Sequence, residues 1–368
     1  KSGLTTRINS IAALAKSEGK AVGVTTSVSV DHATPASFYA HVKDRNMYHQ
    51  IGKDLIAAGF DFYAGSDFLQ PENNELSGNK DLYTQCREAG YTIARGYADY
   101  RKKAKKADKM LLLQTETANK ADRTSIPYAI DRQKNDLTLQ DITRAAIHFL
   151  SQKDTDGFFL MVEGKIDWAC HSNDAATAFK EVIDMDNAIK VAYEFYEQHP
   201  DETLIIITAD HETGGIVLGT GKYELRTDLL KYQKQSAGAF SKMIAAQHQK
   251  EGKKFTWDFV RKQLQDNFGF WSQIPLDERE TEQLKKAYEN FCEGVAKDTK
   301  TLYESENIIA STARQLMARK AMVGWQSGGH SNGYVPVFAI GAGAEEFTGR
   351  IDNTEIPKKI AEIAGYKE

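Results

Sequence analysis

Gly157-Phe158-Phe159-Leu160-Met161-Val162-Glu163-Gly164-Lys165-Ile166-Asp167-Trp168-Ala169-Cys170-His171 reads as a strand that gives way to a loop bearing carboxylates and an imidazole. The run Gly157 to Val162 has the unbroken apolar character of a strand covered on both faces. A second segment repeats the pattern, with an apolar run from Leu204 leading into Thr208-Ala209-Asp210-His211-Glu212-Thr213-Gly214-Gly215. In open α/β sheets the crevice beyond such strand ends is where ligands bind. Asp167 and His171 are four apart, so a helix beginning after Ile166 puts them on one face, as ligands of one ion require. A third imidazole, His330, lies in the small-residue loop Ser327-Gly328-Gly329-His330-Ser331-Asn332-Gly333. A single Asp-His pair on a loop is ordinarily a solvated feature. Two pairs at strand ends, joined by a histidine in a glycine-flanked loop, favour a metal site.

The alternation continues in both directions. Apolar residues at Ile8, Ile11, Ala12, Leu14 and Ala15 keep a helical period up to Glu18, and Ala21 to Thr26 reads as a buried strand. The polar loop Asp31-His32-Ala33-Thr34-Pro35 precedes an expected helix through Phe38, Tyr39 and Val42. A helix over 48–58 and strands over 60–65 and 91–94 follow. Amphipathic helices are expected over 137–150 and 173–198, a strand over 334–340 and a closing helix over 357–364. Such alternation predicts an α/β fold with a mostly parallel sheet sandwiched between helices. From 223 to 313 the chain is charged and helix-favouring, with almost no strand signal. The expected division is an α/β core over 1–222 and 314–368, with a mainly helical insertion over 223–313 packing beside the sheet. Plain scaffolding is the first expectation for the insertion.

Composition narrows the partners. The 368 residues carry a formal net charge of −4, with 41% hydrophobic and 27% charged residues, as in an ordinary water-soluble enzyme. The charge argues against a nucleic-acid partner, which favours a basic face. No apolar stretch approaches the ~18–20 residues that cross a bilayer, so no membrane span is expected. Cys86, Cys170 and Cys292 are too few and too scattered for a disulfide framework or a CxxC zinc site, although one disulfide stays open. Cys170 reads as a packed thiol, and His41, His49, His148, His199 and His248 as surface or capping residues.

Taken together, the motifs resemble alkaline phosphatase. The resemblance rests on Thr25-Thr26 with His32-Ala33-Thr34-Pro35-Ala36, on His41-Val42-Lys43-Asp44-Arg45, on Val162-Glu163-Gly164 with Asp167 and His171, on the run from Thr208 to Gly215, and on Gly329-His330 followed by Val335-Pro336-Val337-Phe338-Ala339. Asp352-Asn353-Thr354-Glu355-Ile356-Pro357 fits as well. The resemblance implies two Zn2+ and one Mg2+ around a serine nucleophile, hydrolysis of small-molecule phosphate monoesters through a phosphoserine intermediate, and a periplasmic or extracellular location. It allows a homodimer. By the same resemblance Asp167, His171 and His330 ligate the first zinc, Asp210 and His211 serve the second, Thr34 and Glu163 serve magnesium, and Arg45 binds phosphate. The residue types suit these roles: imidazole and carboxylate fit zinc, hard oxygens fit magnesium, and a guanidinium matches two phosphoryl oxygens.

The sequence departs from the family in three places. The spacer between Glu163 and Asp167 is one residue shorter than usual, which loosens the expected geometry of Glu163. His32 and Trp168 stand where some members carry Asp and Lys, and an imidazole there weakens magnesium relative to a carboxylate. The family's bridging Asp and its Asp-Ser nucleophile motif do not appear, and Ser2, Thr5 and Thr6 fall past that position. The expectation is therefore a C-terminal portion of a longer enzyme, inactive by itself, its sheet short of a strand. The competing functions are a phosphodiesterase, a sulfatase- or mutase-like relative on the same fold, and a non-catalytic metal-binding fragment.

Overall fold

The computed structural model describes residues 8–72, 80–153, 155–221, 224–295 and 297–367. Five parallel strands form its main sheet: β1 (Ala21–Thr26), β2 (Phe62–Gly65), β3 (Tyr91–Arg95), β4 (Lys109–Leu113) and β5 (Phe158–Glu163), in the spatial order β3-β4-β2-β1-β5. Alternation across the pleat separates two cores. Val22, Val24 and Tyr63 pack with Ala12 and Ala15 of the helix Ile11–Ser17. Ala21, Phe62 and Ala64 face Ile142, Ala145 and Ala146 of the helix Leu139–Leu150. That helix starts where Thr138 caps the backbone N–H of Asp141. The sheet is thus the helix-covered parallel sheet expected, and β1 is buried along its whole length.

β5 ends the sheet, and each of its residues is half-buried. β6 (Leu204–Ile207) is not hydrogen-bonded to β5 among the described residues; it pairs antiparallel with Phe338–Gly341. Two short ladders follow it. Ile216–Leu218 pairs with Val323–Trp325, and Glu212–Thr213 pairs with His330–Ser331.

Residues 224–313 build a third core. Phe240, Ile244, Val260, Leu264, Phe268 and Leu284 from its helices pack on Ile309, Ala313 and Leu316 and reach Ala175 and Ala176. The helix Ile308–Lys320 runs across position 313, the expected end of the insertion, while its expected start at 223 lies outside the described residues. One antiparallel pair, Thr299–Lys300 with Ser305–Glu306, interrupts the helices.

Two local expectations need correction, and one strand lies where none is expected. The helix after Thr34 covers only Ala33–Ala36, and the chain then tightens into turns in which the Phe38 N–H bonds the Pro35 carbonyl and the Tyr39 N–H the Ala36 carbonyl. The strand expected from Tyr334 begins at Phe338, since Pro336 has no N–H to give a ladder. β4 lies between the basic run Arg101 to Lys109 and the following loop, where no strand is expected. All three cysteines are free.

Candidate metal centre

β5 delivers Glu163 at its carboxyl end, and the helix Ile166–His171 starts three residues later. Asp167 and His171 therefore project from one face of a short helix, with Asp167 Oδ2 3.9 Å from His171 Nε2. The ladder between Glu212–Thr213 and His330–Ser331 brings the distant His330 into place. Gly214 makes the close approach: at φ +87° it has no Cβ, which would stand 2.8 Å from the Trp325 ring and 3.1 Å from the Cys170 carbonyl. As a result, one ligand atom each from Asp167, His171 and His330 lies within 4.8 Å of the others.

The rest of the expected set surrounds this trio. His330 stacks on His211 with ring centroids 3.6 Å apart, and His211 Nε2 lies 3.2 Å from Asp210 Oδ2. The half-buried Glu163 accepts from the Thr26 hydroxyl, and Thr34 is near enough to act on its carboxyl, so the short spacer has not carried it away from Thr34. Burial, reinforced by Asp167 and Asp210, pushes the Glu163 carboxyl up to about 7. Burial also raises Asp167, and burial with the nearby His211 and His171 lowers His330. Carboxylates and imidazoles thus converge, with no lysine or arginine paired to Asp167 or Asp210 among the described residues. A divalent ion fits such a donor set.

Arg45 lies at the rim. Its Nη2 is 3.1 Å from His32 Nε2, and burial with the neighbouring guanidinium lowers His32 to about 4. Trp168 is buried beside His32, their rings 5.7 Å apart. The expected residues therefore gather at one end of the sheet, while Ser2, Thr5 and Thr6 lie outside the described residues.

Three functional contacts had no sequence signal strong enough to find them. The Gly328 carbonyl accepts from His171 Nδ1 at 2.8 Å. Lys165, within the quoted stretch, is fully buried, donates to Ser125 Oγ at 2.6 Å and sits 3.8 Å from the Tyr128 ring centroid. Tyr303, from the insertion, stacks on Trp168 with centroids 4.2 Å apart and meets His171 edge-on at 5.2 Å.

Comparison with known proteins bears on the family and the fold. The alkaline phosphatase family model matches residues 4–366. That match runs over nearly the whole of this chain. Alkaline phosphatase 3 of Bacillus subtilis is 32% identical over 358 residues, covering 96% of this chain and 70% of the relative. The solved cold-active alkaline phosphatase of a psychrophilic Shewanella species superposes with a TM-score of 0.76 at 27% identity, covering 99% of this chain and 82% of that one. A mutant enzyme from the Antarctic bacterium TAB5 with Mg bound in its M3 site has a TM-score of 0.64 at 25% identity, over 99% and 78% of the two chains.

Proposed function

The chain belongs to the alkaline phosphatase family, and we propose that the complete protein hydrolyses phosphate monoesters at a centre holding two zinc ions and one magnesium ion, through a phosphoserine intermediate. The observation that carries this reading is the convergence of Asp167, His171 and His330. In the proposed assignment these three hold the first zinc, Asp210 and His211 contribute to the second, and Thr34 and Glu163 hold magnesium. When bound, such ions polarise a phosphoryl oxygen and stabilise the attacking and leaving oxygens of an in-line displacement.

The chain's own groups prepare that chemistry. The Gly328 carbonyl can only accept, so His171 carries its proton on Nδ1 and keeps the Nε2 lone pair free. Thr26 fixes the Glu163 carboxyl through its hydroxyl. Arg45 binds and orients two phosphoryl oxygens with its planar fork of N–H donors. It forms no salt bridge among the described residues, so its charge stays available for a dianion.

Family membership supports placement in the periplasm or outside the cell, and no described helix is long and apolar enough to cross a membrane. A homodimer is the proposed assembly. We also propose that 223–313 is an insertion in a core formed by 1–222 and 314–368.

The test is a comparison of an aryl phosphate monoester, the corresponding diester and an aryl sulfate on the zinc- and magnesium-loaded protein, with zinc binding measured separately by calorimetry. Zinc binding with strong preference for the monoester is expected. Preference for the diester or sulfate would reassign the substrate. Zinc binding without turnover of any ester would leave a metal-binding protein.

A further inference from the structure

Asn173 stands in the short turn between the helix Ile166–His171 and the long helix Ala175–Tyr196. Its φ of +55° lies in the left-handed region, which asparagine tolerates better than most residues that carry a Cβ. From this turn the Asn173 side-chain nitrogen donates to two carbonyl oxygens. One is Cys170, in the helix that bears Asp167 and His171, at 2.9 Å. The other is Ser327, in the loop that leads to His330, at 2.7 Å. A carbonyl oxygen can only accept, so the NH2 end of the amide, with its two protons, is the end that faces them.

The next carbonyl along the loop, Gly328, accepts from His171 Nδ1 at 2.8 Å. Two consecutive carbonyls thus tie the His330 loop to the helix. The loop's other bonds run to Gly214: the Ser327 N–H reaches the Gly214 carbonyl at 3.1 Å, and the Gly214 N–H reaches the Gly329 carbonyl at 2.9 Å. Among the described residues, Asn173 makes the one hydrogen bond between helix turn and loop that does not use the His171 ring. The turn itself is anchored from behind. Arg314, paired with the buried Glu306 at 3.0 Å, donates from Nη1 to the Asn173 carbonyl at 3.3 Å. The buried Asp174 accepts from the Ala237 N–H at 2.8 Å and from Gln233 Nε2 at 2.9 Å. The backbone of the turn is therefore held by residues of 224–313 and the helix Ile308–Lys320, while the Asn173 amide holds the loop.

We propose that Asn173 is a positioning residue for the metal centre: it fastens the His330 loop to the helix of Asp167 and His171, so that the three ligands stand together before an ion arrives. The inference rests on the ligand set proposed above. Fixing the loop in advance removes freedom that binding would otherwise cost, and so raises affinity without adding a ligand.

The experiment measures zinc affinity of the full chain by competition with a chromophoric chelator, and hydrogen exchange over residues 327–331 in the metal-free protein. Asn173→Gly accepts the positive φ and removes the amide. It should weaken zinc about tenfold and speed exchange in the loop. In the His330→Ala background the same change should cost less than about threefold, because the loop no longer delivers a ligand. A role in the backbone turn alone predicts normal zinc affinity in Asn173→Gly and a loss only in Asn173→Ala, which is strained at this φ. That result would overturn the inference, as would equal losses in the two backgrounds, or weaker zinc with unchanged loop exchange. Undiminished affinity in His330→Ala would instead overturn the ligand set, and this inference with it.

Discussion

The Nε2 atoms of His171 and His330 face each other across 3.1 Å. His171 spends its Nδ1 proton on the Gly328 carbonyl, so its Nε2 presents a bare lone pair. His330 is stacked on His211 and held at the end of a two-residue ladder. Asp167 adds a carboxylate oxygen 3.9 Å from His171 Nε2. A cation among these atoms satisfies all of them together, which no side-chain proton can do.

His330→Ala is the cleanest probe of that arrangement, because His330 is exposed and belongs to no core. Removing an outer-shell partner of a metal ligand commonly costs 10–100-fold in affinity, so losing the ligand itself should cost at least about 100-fold for zinc. Stability of the metal-free chain should stay within about 0.5 kcal/mol of the parent, as for other surface substitutions. Competition with a chromophoric chelator measures the first and denaturant unfolding the second. Undiminished zinc affinity would remove His330 from the ligand set.

Lys165 should matter through packing and charge rather than through direct contact with substrate. Its ammonium is fully buried, bonded to Ser125 and the Ile126 carbonyl, with Glu181 and Glu304 among the charges around it. Lys165→Met fills similar volume but leaves those acids without their cation. Breaking a buried charge arrangement from one side costs about 3–5 kcal/mol, and a loss of that size is expected in denaturant unfolding. Because Lys165 anchors the turn between Glu163 and Asp167, zinc affinity should fall in the same variant. A variant as stable as the parent would show that the acids do not depend on Lys165.

Much of this centre is legible in local sequence because its main carriers sit at strand ends. β5 and β6 announce themselves as apolar runs, and the carboxylates and imidazoles follow each directly. The four-residue spacing of Asp167 and His171 predicts the helix that unites them, and the helix Ile166–His171 is present. What escapes is whatever depends on distant chain. β4 hides behind lysines because its neighbours β2 and β3, rather than its own pattern, decide its pairing. The end of the insertion is blurred because helix Ile308–Lys320 packs with the insertion helices and is continuous through the expected boundary. Tyr303 lies in a charged stretch with no local periodicity, and only the folded hairpin carries it to Trp168. Gly328 acts through a backbone carbonyl, which no residue identity encodes.

Asp31 predicts a pH dependence of stability. It has no exposed surface, and burial raises its carboxyl from 3.8 to about 7, against the 2.8 Å hydrogen bond it accepts from the Leu69 N–H. Between those values the folded chain keeps a proton that the unfolded chain has released. Stability from this group is therefore fully present below about pH 3.8 and lost as pH rises to about 7, with a slope near 1.4 kcal/mol per pH unit for one proton. Asp31→Asn retains an acceptor for Leu69 and does not titrate, so its stability should decline less over that interval. Metal-free denaturant unfolding at several pH values measures the difference. Parallel profiles for the two proteins would show that Asp31 ionises freely in the fold.

His32 links metal choice to phosphate binding, and His32→Asp should move the two in opposite directions. His32 precedes Ala33–Ala36, the short helix that carries Thr34, and its ring is buried against Trp168. A carboxylate there supplies the hard oxygen that magnesium prefers over imidazole nitrogen, so magnesium affinity should rise. The same carboxylate stands where Arg45 Nη2 now meets a neutral nitrogen at 3.1 Å. It would pair with the guanidinium by a charge-assisted bond of about 1.5–3 kcal/mol, which phosphate must then displace. Phosphate affinity should accordingly fall about tenfold or more while zinc binding at Asp167, His171 and His330 is unchanged. Calorimetric titrations with magnesium, zinc and inorganic phosphate separate the three effects. A rise in magnesium affinity with no loss of phosphate would mean that the neutrality of residue 32 is irrelevant to Arg45. Loss of both would mean that the imidazole itself holds the loop in place.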